Sequence, residues 1–159
     1  MIRELGFATL LTVALGASAQ SVPAANYTDM WFNPAESGWG VSFNQHAGTN
    51  QVFAVWYTYD PREASSTAFK PIWIVMPGGH WTTPTTITGN VYVTNGVPFN
   101  MSGNNQTNTA VGSFTFSFSD SNNGLFTYNI SAPSGLPSTD PAFNLPTISG
   151  SKPITRQGF

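Results

Sequence analysis

Cysteine is absent from this chain and charge is scarce: 159 residues hold 5 Lys+Arg and 7 Asp+Glu. The lack of cysteine excludes a disulfide framework, thiol chemistry and Cys-ligated zinc. Charged residues make up 8%, against about 25% in an ordinary domain, which excludes a long charged helix, a coiled coil or an acidic tail. After Arg3 the basic residues are Arg62, Lys70, Lys152 and Arg156, scattered under a net charge of -2. Nucleic-acid binding needs clustered Lys and Arg to release phosphate counterions, so that class of partner is excluded. No apolar run reaches the roughly 20 residues needed to cross a bilayer as a helix.

The N-terminus reads as a targeting signal. Arg3 supplies a basic residue, Leu5 to Gly16 form an apolar run, and Ala17-Ser18-Ala19 has the small-x-small pattern that signal peptidase reads. The expectation is a signal peptide at 1–19, a single mature domain at 20–159, and export to the periplasm or the extracellular space.

What the mature chain does contain is alternation. Phe114, Phe116 and Phe118 fall on one face while Thr115, Ser117 and Ser119 fall on the other, the period of a half-buried antiparallel strand. Phe126, Tyr128 and Ile130 repeat it after Asp120-Ser121-Asn122-Asn123-Gly124, a hairpin turn in which Asn-Gly offers positive φ. Further strands are expected at Val41 to His46, Val52 to Tyr59, Pro71 to Met76, Gly89 to Thr94 and about Ile148 to Gln157. No helical crossover separates them, so the fold is all-β: one antiparallel up-and-down meander of about six to eight strands closing into a small barrel, with a two-sheet sandwich as the alternative. Two longer loops, Asn95 to Ala110 and the proline-bearing Ala132 to Pro146, are functional rims or floppy insertions.

The densest chemistry lies in Met30-Trp31-Phe32-Asn33-Pro34-Ala35-Glu36-Ser37-Gly38-Trp39-Gly40. With Val55-Trp56-Tyr57-Thr58-Tyr59-Asp60, Lys70-Pro71-Ile72-Trp73-Ile74-Val75-Met76, Gly89-Asn90-Val91-Tyr92 and the terminal Ile154-Thr155-Arg156-Gln157-Gly158-Phe159, it resembles a recurrent bacterial exported β-rich module. The likeness spans nearly all of the mature chain, departing at Pro61 to Phe69 and in the proline-rich loop, and implies compartment and scaffold rather than an activity. A looser likeness is to lipocalin- and avidin-type barrels, in which a Trp near the first strand lies beneath a cation from the last. That likeness implies that Arg156 stacks on Trp39 or pairs with Glu36, a structural closure of Glu36, Trp39 and Arg156.

Glu36 sits in a glycine-flanked aromatic turn, a setting that can raise a carboxyl pKa, and a two-carboxylate hydrolase would draw its second acid from Asp29, Asp60 or Asp120. His46 ends the first expected strand and His80 lies in an expected loop, Pro77 to Trp81. Neither belongs to a His-x-His or His-x-x-x-His spacing, so no metal or cofactor is implied. Ser37 lacks the Gly-x-Ser-x-Gly context of a nucleophile elbow.

Aromatics are the remaining signal. On Val52 to Tyr59 one face carries Phe53, Val55, Tyr57 and Tyr59 and the other Val52, Ala54, Trp56 and Thr58, so both faces are apolar. The leading expectation is a non-catalytic binding module for a glycan or small apolar ligand, using Trp31, Trp56, Tyr57, Trp73, Trp81 and Tyr92 at the barrel mouth or on a sheet face. A self-associating or adhesive surface protein with an unpaired sheet edge is the second reading, and a hydrolase centred on Glu36 the third.

Overall fold

A computed structural model describes residues 21–63, 69–103 and 106–158; the expected signal peptide lies outside them. Eight strands follow one another: β1 (Asp29–Phe32), β2 (Gly40–Gln45), β3 (Val52–Tyr59), β4 (Pro71–Thr83), β5 (Thr86–Asn95), β6 (Thr107–Phe118), β7 (Asn123–Ile130) and β8 (Ile148–Arg156), with one 3-10 turn at Pro61–Glu63. Every neighbouring pair is antiparallel. The order closes on itself through β1 and β8, where Trp31 lies opposite Arg156 and Phe32 opposite Thr155. The meander is therefore a closed barrel, not a sandwich.

Alternation carries the strands, and the barrel interior takes one residue of every two. On β5, Ile87, Gly89, Val91 and Val93 are buried while Thr88, Asn90, Tyr92 and Thr94 face out. The interior is packed solid with rings. Phe114 and Phe116 each lie 4.9 Å from Phe126 between centroids, and Phe43 meets Phe116 at 5.3 Å. Such pairs add about 0.5–1.5 kcal/mol each beyond the area they bury. Met76 fills the space left by two missing side chains: a Cβ on Gly79 would stand 2.5 Å from its Cε, and one on Gly89 would stand 2.8 Å from its Sδ.

β1 is an additional strand and β5 begins at Thr86 rather than Gly89; three further differences from the sequence expectation have a plain physical reason. β4 does not stop at Met76 but runs through Pro77-Gly78-Gly79 to Thr83, with its register against β5 shifting between Val75 and His80. The Gly-rich stretch is thus a β-bulge within a strand, and His80 is a strand residue rather than a loop residue. β6 begins at Thr107, inside the expected loop, because Thr107 to Ala110 pair with Tyr92 to Asn95 although they lack apolar alternation. Finally, Asn123 opens β7 and Gly124 follows it without positive φ, and the turn is held instead by Asp120, whose carboxylate accepts from the Asn122 and Asn123 amides at 2.7 and 2.9 Å.

Both barrel ends are covered. At one, Tyr27 is buried and stacks on Phe118 at 3.9 Å, while Ala24 N–H donates to the Pro84 carbonyl. At the other, the segment 132–146 folds back as a cap with Ala142 and Leu145 buried. It is tightly turned, Phe143 N–H donating to Asp140 O and Leu145 N–H to Ala142 O, each at 3.0 Å. Thr109 Oγ1 donates to the Asp140 carboxylate at 2.8 Å, and Arg62 Nη1 donates to the carbonyls of Pro141 and Phe143 at 3.1 and 2.7 Å. The proline-rich loop is a lid built into the fold, since prolines that cannot donate to a ladder are placed where no ladder exists.

Candidate functional site

The residues expected to contact a ligand fall into two groups. Trp31, Trp56 and Trp81 are 1%, 5% and 2% exposed, inside the barrel, and present no free ring face. Trp56 is enclosed by Phe114, Phe126, Tyr128 and Trp39; Trp81 Nε1 donates to Asn50 O at 2.8 Å, and Trp31 Nε1 to Tyr27 O at 3.0 Å. A barrel mouth lined by these rings is therefore not formed. Tyr57 and Trp73, by contrast, stand on the outer face at 47% and 52% exposure, directly opposite each other across β3 and β4. Tyr92 lies half-buried on the same outer face, opposite Val75.

Around that pair the sheet arranges a surface of rings. Phe53, Tyr57 and Tyr59 project outward from β3, and Val55 between them is nearly covered by its neighbours. Tyr59 meets Phe69 at 6.0 Å between centroids. Beside Tyr57 and Tyr59 the flank towards β2 is lined by glycines. Gly40 pairs with Tyr57, and Gly38, at φ +87°, lies under Tyr59, so that a Cβ would be 3.1 Å from the ring. The Gly38-Trp39-Gly40 motif thus lets Trp39 pack against the core while no side chain from the flanking glycines covers Tyr57 or Tyr59. Phe53, Tyr59 and Phe69 were not among the expected site residues, although the outward face of β3 was legible as apolar.

Three shallow cavities adjoin the rings. One, of about 420 Å³, is lined by Phe53, Val75, Pro77, Tyr92, Gln106 and Asn108 among others. A second, of about 230 Å³, lies between Trp73, Thr94 and the Asp60–Arg62 pair. A third, of about 240 Å³, lies around His80, Asn90, Tyr92 and Ser113.

The contacts expected of Arg156 with Trp39 or Glu36 are replaced by others. Arg156 lies over Trp31, 5.1 Å from the ring centroid, and pairs with Asp29 at 3.1 Å. Lys152 covers Trp39 at 5.5 Å and binds Glu36. The reason is register. Lys152, Ile154 and Arg156 share one face of β8, and only Arg156 is level with β1, whereas Lys152 is level with the β1–β2 turn. Glu36 also accepts from Trp39 Nε1 at 2.9 Å and Asn33 Nδ2 at 3.1 Å.

These contacts bear on acid chemistry. The hydrogen bond from Lys152, followed by that from Trp39, holds the Glu36 carboxyl below the ordinary range rather than raising it. The other carboxylates that could have served as its partner are engaged elsewhere. Asp60 is pushed up by burial, but hydrogen bonds from Arg62, at 2.6 Å, outweigh this and leave it lowered. Asp120 is lowered by the Asn122 backbone amide and then by the Asn123 side chain, and Asp29 faces Arg156. His46 Nδ1 accepts from the Gly48 and Thr49 amides at 3.2 and 3.1 Å, serving its turn.

Compared with family models, curated proteins and solved structures, the chain gives no significant match to any of them. The outer ring surface therefore has to be read from its own chemistry.

Proposed function

We propose that this protein is an exported, non-catalytic carbohydrate-binding module whose binding surface is the outer face of β3 and β4. The single observation that carries this is the cross-strand pair Tyr57 and Trp73, both about half exposed, on a sheet whose interior is already filled. A folded monomer rarely leaves a contiguous apolar patch of this kind without a use. Aromatic faces stack on the C–H surfaces of sugar rings, and neighbouring amides and hydroxyls supply hydrogen bonds to the sugar hydroxyls. Carboxylates held ionised by cations or backbone amides support binding over hydrolysis.

The resemblance to exported bacterial modules and the signal-like N-terminus support export. N-terminal sequencing of protein secreted by a bacterial host tests it; the expected mature chain begins at Gln20. For binding, titration with neutral oligosaccharides is expected to change the intrinsic fluorescence, and Trp73→Ala to abolish both the change and the affinity. Concentration-dependent dimerisation that disappears in Trp73→Ala, with no oligosaccharide response in the wild type, would instead assign this face to a second copy of the chain.

A further inference from the structure

We infer that the ligand is a linear, uncharged polysaccharide chain lying along β5 in a groove of several subsites, and not a single terminal sugar. This rests on the carbohydrate reading above and extends it from a platform to a track.

The groove is assembled from the three cavities, which share walls. Thr94 belongs both to the cavity beside Trp73 and to the central one, and Tyr92 with Pro77 belongs both to the central one and to that beside His80. The shared residues run in order along one strand. Thr94, Tyr92, Asn90 and Thr88 are the outward residues of β5, a track of hydroxyl, ring, amide and hydroxyl. From Thr94 to Thr88 the strand covers roughly 20 Å at about 3.3 Å per residue. That is far longer than one sugar ring, and it places a stacking residue at one end, Trp73, and another, Tyr92, part-way along. The β4 bulge at Pro77 and Gly78 bends one wall, and Gln106 and Asn108 bring amides to the other.

Charge and topology select among occupants. The charged pair that reaches the groove, Asp60 and Arg62, neutralises itself at 2.6 Å, and Arg62 is further committed to two carbonyls of the cap. Among the described lining residues the rest are amides, hydroxyls, rings, prolines, glycines and the aliphatic Ile72, Val75 and Val93, together with His80, so no cluster of cations complements a polyanion. A peptide added as an extra strand at the groove is also excluded, because β5 is already paired with β4 on one side and β6 on the other. A chain of hydroxylated rings fits what remains: faces for its C–H surfaces and a repeating set of neutral donors and acceptors for its hydroxyls.

The test uses the full chain and three ligand series: cello-oligosaccharides and chito-oligosaccharides from monosaccharide to hexasaccharide, and polygalacturonate oligomers as a charged comparison. Isothermal titration is run on the wild type, Trp73→Ala, Tyr92→Ala and, because Gln106 is exposed and safe for folding, Gln106→Ala. The expected result is affinity for one neutral series rising with length, roughly tenfold or more between disaccharide and hexasaccharide. Tyr92→Ala should lose roughly tenfold for the hexasaccharide and little for the disaccharide. Gln106→Ala should do so more weakly. Length-independent affinity that still needs Trp73 overturns the groove and leaves the platform standing. Preference for the acidic series overturns the choice of an uncharged chain. Failure of every neutral series to bind overturns both the groove and the platform.

Discussion

Gly112 sits at φ +136°, and a methyl group there would be driven into the backbone carbonyl of Asn129 on β7. The obstacle is main chain, which cannot swing aside as a long side chain can. Gly112→Ala is expected to cost about 2 kcal/mol or more, whereas Gly78→Ala, which meets nothing within 4 Å, should stay within about 0.5 kcal/mol; chemical denaturation of the two variants checks the contrast. Glu36 makes a different kind of prediction. Its carboxyl is lowered in the folded state, first by Lys152 and then by Trp39. A group of this sign adds stability above its unfolded pKa and loses it as pH falls through the folded pKa. Glu36→Gln should therefore melt below the wild type at neutral pH, with the gap narrowing as pH drops below about 4. A gap that is the same at every pH would mean that the Lys152–Glu36 charge pair contributes nothing.

At the scale of elements, the cap 132–146 depends on two attachments, Arg62 to the Pro141 and Phe143 carbonyls and Thr109 to Asp140. Arg62→Met removes the first and also strips Asp60 of the cation that offsets its burial. The expected outcome is faster limited proteolysis within 132–146 at a temperature where the barrel strands still resist cleavage, read by mass spectrometry of the fragments. The strands show how much of this architecture was legible. β3 was readable to the residue because the turn formers Gly48 and Asn50 precede it, Asp60-Pro61 follows it, and rings and β-branched residues fill it. β1 was hidden because Asp29–Phe32 is too short to show a period, and its partners are supplied by β2 and β8. The start of β6 was hidden because Thr107-Asn108-Thr109-Ala110 is polar and gains its strand geometry from β5. The β4 bulge was hidden because Pro and two Gly read locally as a turn, while a register shift against a neighbour is a long-range property.

At the scale of the whole molecule, burial divides the tryptophans by task. Trp31, Trp56 and Trp81 report the packed interior, and Trp73, at 52% exposure, reports the outer face. Acrylamide quenching should accordingly fall sharply in Trp73→Phe while the thermal transition, followed by the remaining tryptophans, keeps its midpoint within a few degrees. A quenching profile unchanged in that variant would mean that another ring is the accessible one.

Period-two alternation, the want of helical spacing and the turn residues are local properties, and from them alone the chain was committed to an antiparallel meander, with barrel closure expected and a sandwich left as the alternative. Three matters were settled only in three dimensions. Which face of β3 points outward depends on how a doubly apolar strand is placed between β2 and β4, so Trp56 went inside and Tyr57 out. Which cation covers which tryptophan depends on the β1–β8 register, so Arg156 found Trp31 and Lys152 found Trp39. The placing of Trp73, Thr94 and Tyr92 along adjoining cavities depends on β4–β5 pairings between residues about twenty positions apart. In each case the deciding contact lies between segments distant in sequence, where local pattern carries no information about register or sidedness.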